Sequence, residues 1–177
     1  VTEPARCAPN ASRRAARTAL SAAPPTGLIA AIEASPLAAW VGEVALVYPI
    51  ANTAHVIGAI MVVGSIGVVD LRVLGYGRDL PMHRLSAALT PIALTGFAVM
   101  VLSGTILFVS DAPALARSPI FLTKLGLIAL AGLNALAFRL GWRRLADDPP
   151  VGARVLAAGS LGLWLAVVVA GRLIAYF

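Results

Sequence analysis

Between Glu43 and Asp70 the chain carries no charge, and Val44 to Val69 is an almost unbroken apolar run. About 20 such residues are enough for a helix to cross the hydrocarbon of a bilayer. A second uncharged run extends from Leu85 to Ser110. A third, Ser118 to Phe138, is interrupted only by Lys124. A fourth, Val155 to Gly171, resumes after Arg172 as Leu173 to Phe177. The breaks carry turn chemistry: Gly75-Tyr76-Gly77, Asp111-Ala112-Pro113 and Asp147-Asp148-Pro149-Pro150. Membrane barrel strands would alternate over ten-residue segments, and no such alternation is present. The pattern predicts an all-α membrane protein, a four-transmembrane-helix antiparallel bundle over 44–177. Its spans fall at about 44–70, 85–110, 118–140 and 155–177. Short connections make sequential helices antiparallel neighbours.

The flanking segments differ. Residues 28–43, LIAAIEASPLAAWVGE, are apolar in part but broken by Glu33, Pro36 and Glu43. Trp40 suits the headgroup level, so this segment is expected to lie on the membrane surface as a short interfacial amphipathic helix. Residues 1–27 are rich in Ala, Pro and Arg, with no apolar stretch of the kind a signal peptide needs after its basic start. They are expected to form a disordered, dispensable tail.

Composition reinforces the membrane reading. Hydrophobic residues make up 59% of the chain and charged ones 12%, against about 25% charged in soluble domains. The net charge of +6 could suggest nucleic acid, but the basic residues sit at the ends of apolar runs. The positive-inside rule therefore accounts for them without a nucleic-acid partner. Arg72, Arg78, Arg84, Arg139, Arg143, Arg144 and Arg154 flank the first and third connections. Only Arg117, Lys124 and Arg172 flank the other side. This asymmetry predicts a bacterial inner (cytoplasmic) membrane protein with those two loops cytoplasmic and both termini periplasmic. The single cysteine, Cys7, excludes a disulfide or a cysteine metal cluster within one chain.

The segment YPIANTAHVIGAIMVVGSIGVVDLRVLG, residues 48–75, resembles the first span of an uncharacterised bacterial family of small four-helix inner-membrane proteins. TPIALTGFAVMVLSGTILFVSDA (90–112), SPIFLTKLGLIALAGLNALAF (118–138) and EASPLAAWV (33–41) are similar to the same pattern. Such a family carries a domain-of-unknown-function label, so the resemblance implies a fold and no reaction. HVIGAIMVVGSI alone is also similar to the His-bearing helix of copper-resistance membrane proteins.

Candidate chemistry centres on His55, the one ionisable side chain near the middle of a span. Such residues are functional candidates by default. Asn52 shares its helix face, and Gly58 leaves room beside it. Thr95, Met100 and Asn52 are the expected partners. His55 and Met100 are also candidate haem or metal ligands, with haem b or copper as the cofactor. Bis-His ligation is excluded, because His83 stands before the second span, roughly 20 Å from His55 by helix rise. His83 itself is expected in a loop at the headgroup level. Asn134 is expected to bond across helices. Asp70, Arg72, Arg84 and Arg143 form a candidate charged cluster on the cytoplasmic face. Asp70 would pair there with Arg84 or Arg143, and Arg72 would reach to the phosphates, as Lys124 and Arg172 would at the other face. Ala54 with Gly58, and Ala88 with Gly96 and Gly104, mark packing seams.

Paired intramembrane carboxylates, HExxH, a Ser-His-Asp set and a Walker loop are all missing. The sequence thus points away from an enzyme. The leading expectation is a scaffold, accessory subunit or small-ligand binder organised around His55. The alternatives are a haem- or copper-binding electron-transfer subunit and a small oligomeric permease. The expected partners are the lipid bilayer and either further copies of the chain in a homo-oligomer or a larger membrane complex.

Overall fold

A computed structural model describes residues 27–142, 148–174 and 176. The elements in chain order are α1 (Leu28–Glu33), α2 (Pro36–Glu43), α3 (Val47–Leu74), α4 (Met82–Ser110), α5 (Ala112–Arg117), α6 (Pro119–Gly141) and α7 (Val151–Leu173). No strand occurs among the described residues. Four helices, α3, α4, α6 and α7, are long and apolar enough to cross a membrane. They form an antiparallel bundle, the architecture of a multi-pass membrane protein.

Boundaries follow local chemistry. Ser35 caps α2 by accepting from the Ala38 N–H at 3.2 Å, with Pro36 in the first turn. That cap splits the expected single interfacial helix into α1 and α2. Ser118 caps α6 in the same way, accepting from the Phe121 N–H at 3.3 Å, with Pro119 next. α3 ends at Gly75, whose φ of +112° only glycine adopts without strain. The Tyr76 N–H then returns to the Leu71 carbonyl at 3.0 Å, satisfying one of the orphan acceptors of the helix end. α4 begins at Met82, three residues earlier than the expected Leu85. His83 is therefore an exposed residue of its first turn and not of a loop. The short α5 is not foreshadowed by the apolar runs, because six residues are too few to show a period.

α3 is the central helix. It packs against α4 along most of its length and against α7 on its other side, and α6 packs on α7. One core cluster joins Val62, Ala131, Trp164 and Val167; another joins Val73, Met82, Ala153 and Ala157. The α3–α4 seam depends on glycine. A Cβ on Gly58 would stand 2.8 Å from the Gly96 carbonyl oxygen, and one on Gly96 would stand 2.6 Å from Met61 Cβ. Backbones approach this closely only where side chains are absent. Ile60, Leu94, Leu102 and Leu133 face outward and exposed, as lipid-facing positions do.

α4 and α6 do not pack along their lengths. They are tied at the end of the bundle that holds the N-terminus of α3, here the upper end. There Phe108 and Phe121 stack with centroids 5.6 Å apart, and α5 bridges the two helices in sequence. Below this tie the bundle is open on one side.

Candidate functional site

The open side forms a cleft of about 1220 Å³ whose walls come from α3, α4, α6 and α7. Most of its lining is apolar. Asn52, His55, Thr105 and Lys124 are among its few polar residues. The 3.6-residue period places Asn52 and His55 on one face of α3, and the antiparallel register of α3 and α4 turns that face to the cleft.

His55 Nδ1 lies 3.1 Å from Ser103 Oγ. Ser103 Oγ in turn donates to the Val99 carbonyl at 2.6 Å. With the hydroxyl proton committed to Val99, Ser103 accepts and His55 Nδ1–H donates. In the neutral imidazole, Nε2 is then the acceptor nitrogen. Gly104 lets the ring lie against α4: a Cβ there would be 3.1 Å from His55 Cε1. The partner is thus Ser103 and not Thr95. Thr95 is exposed, eight residues earlier on α4 and so about 12 Å away along the axis. The correction arises from register. His55 faces Ser103 and Gly58 faces Met100 and Gly96, a slide of two turns relative to the expected pairing of His55 with Thr95.

Met100 reaches the same cleft, but its Cγ fills the space over Gly58, 2.8 Å from where a Cβ would stand. It acts as packing in the α3–α4 seam, a common use of a flexible thioether. No group of three or more His, Cys, Asp or Glu that could hold a metal ion is found among the described residues. His55 and Met100 would supply at most an imidazole and a thioether, a soft pair of the type that suits copper(I) or haem.

Lys124 enters the cleft from α6, about 7 Å along the axis from that helix's start. Its ammonium crosses toward α7, with Nζ 3.2 Å from where a Gly171 Cβ would be. It makes no ion pair or hydrogen bond among the described residues, and Asp111, also on the cleft wall, lies beyond ion-pair range.

The opposite, lower end is built differently. Arg72 is 3% exposed, so it does not reach outward. Its guanidinium donates to the Leu80 carbonyl at 2.9 Å and the Arg78 carbonyl at 3.0 Å, holding the 75–81 turn against the end of α3. Asp70 is also buried, close to Ser160 of α7, and leaves Oδ2 buried with no hydrogen-bond partner. It forms no ion pair with Arg84, which is exposed. Arg143 lies outside the described residues. The four residues therefore do not assemble into one cluster among the described positions. Asn134 Nδ2 donates to the Leu156 carbonyl of α7 at 3.1 Å, fastening α6 to α7.

Three residues of these sites were not singled out by sequence reasoning: Ser103, Ser160 and, as a cleft residue, Lys124. A serine in an apolar run is a weak signal, and its partner becomes visible only once helix register is known. No protein-family model, curated protein or solved structure matches this chain.

Proposed function

We propose that this is a non-enzymatic membrane protein of the bacterial inner membrane that binds a small amphipathic molecule in the cleft between α4 and α6. The observation that carries this reading is the meeting of His55, Asn52 and Lys124 in one large, mostly apolar recess. Ligand sites have this make-up: apolar walls with a few placed polar groups that fix orientation. The opening faces the side where a bilayer would lie, so a guest could enter laterally without passing through water. Scaffold or accessory roles within a homo-oligomer or larger complex are compatible with the same cleft.

The test is retention of a guest. Wild-type protein purified in mild detergent should carry a small molecule at near-stoichiometric amount, detectable by mass spectrometry of an organic extract. Val101→Trp, which fills the cleft wall, should lose it while keeping helical circular dichroism. Equal recovery from both proteins would overturn the reading.

A further inference from the structure

We propose that the guest is an amphiphile with a carboxylate headgroup, neutralised by the Lys124 ammonium. This rests on the cleft being a binding site and goes on to name its ligand class. The argument starts from charge. Lys124 is half-buried within a membrane-crossing helix and has no protein anion bonded to it among the described residues. A cation held in apolar surroundings needs an opposite charge, and leaving it alone is costly. Its Nζ rests over Gly171 on the α7 wall of the cleft, where glycine provides the room. The ammonium is therefore held at the cleft wall, where a guest's anionic group would meet it.

Charge count and donor type narrow the class. Lys124 is the one basic residue besides His55 among the cleft-lining positions. Asp111, the one carboxylate on the same wall among the described residues, forms no ion pair with it, so a single unpaired positive charge is left to balance a monoanion. A phosphate ester, with more charge and more oxygens, is better served by arginine's bidentate fork. The Asn52 amide offers a neutral N–H for the second carboxylate oxygen.

The length of the wall suits a hydrocarbon tail. From Asp111 to Phe97 the cleft follows α4 for about 21 Å. Phe97, Val101, Thr105 and Phe108 recur along it at near-helical spacing, with Met100, Gly104 and Leu107 in the row beside them. Leu125 and Ile128 form the facing row on α6. An apolar wall of this length accommodates an extended hydrocarbon chain. Trp164 stands at its deep side, 7% exposed.

Trp164 supplies the measurement. In full-length protein carrying Trp40→Phe and Trp142→Phe, ω-bromododecanoate should quench the remaining tryptophan saturably, because bromine quenches only at short range. ω-Bromododecanol, with the same chain and no charge, should bind about tenfold more weakly. Lys124→Met should weaken the acid by a similar factor, and Lys124→Arg should restore it. Circular dichroism of each variant checks folding. If Lys124→Met fails to fold, the comparison of acid and alcohol on the protein with Lys124 intact decides. Saturable quenching of equal strength by acid and alcohol would overturn the carboxylate and leave the cleft as a site for an uncharged amphiphile. Absence of saturable quenching by either would overturn both readings.

Discussion

Asp70 and His55 are polar side chains in the interior of one helix, and they solve the same problem differently. The His55 Nδ1–H donates to a serine already anchored to a carbonyl. Asp70 also meets a serine, but one of its oxygens stays buried and unpartnered. An unsatisfied buried acceptor costs more than a bond gains, so the Asp70–Ser160 pair should be strongly non-additive. Ser160→Ala, which removes the hydroxyl beside the carboxyl, should lose about 1–3 kcal/mol. Adding Asp70→Leu should recover most of that loss, because both polar groups are then gone. Chemical unfolding followed by circular dichroism closes the cycle; additive losses would show that the pair is uncoupled. The sequence made His55 legible because a lone imidazole stands out in an apolar run. It misplaced the side-chain partner because partnership depends on how two helices slide past each other. Arg72 was misread for a related reason: its burial depends on a turn folding back over it, which the composition of the turn does not reveal.

At the scale of elements, hydropathy alone delimits all four long helices to within a few residues, since an uncharged run of this length has little alternative in lipid. The short helices α1, α2 and α5 lie beyond that signal, being set by single caps and prolines. What joins the elements is more demanding than what forms them. Gly96 has Met61 Cβ and the Gly58 carbonyl oxygen within 2.9 Å of a would-be Cβ. Two of those atoms belong to or adjoin backbone, so they yield only if the helices separate. Gly96→Ala should therefore cost about 1–3 kcal/mol by overpacking. Gly64→Ala on α3, where a Cβ would meet nothing within 4 Å, should be neutral or gain up to about 1 kcal/mol from helix propensity. Thermal unfolding in detergent separates the two. A Gly96→Ala variant as stable as Gly64→Ala would mean that the seam is looser than its geometry.

For the molecule as a whole, orientation in the membrane is the open question that charge addresses. We infer that the lower end, with the 75–81 and 142–150 connections, faces the cytoplasm. Seven arginines lie near those connections: Arg72, Arg78, Arg84, Arg139, Arg143, Arg144 and Arg154. Three basic residues, Arg117, Lys124 and Arg172, lie near the other end. Two of the ten act locally, since Arg72 is spent on its own turn and Lys124 on the cleft. The bias remains six to two without them. A periplasm-active reporter fused after Phe177 should be active, and one inserted within 143–152 should be silent; the reverse pattern would invert the topology. The Arg72 clasp has a further consequence, which concerns time and not space. It closes a seven-residue connection, 75–81, between the two helices that share the bundle's longest interface. Short loops lose little entropy on closing, and contacts between neighbours in the chain form early. The α3–α4 hairpin can therefore be complete while α6 and α7 are still being made, and the second hairpin arrives to find a finished surface to dock upon.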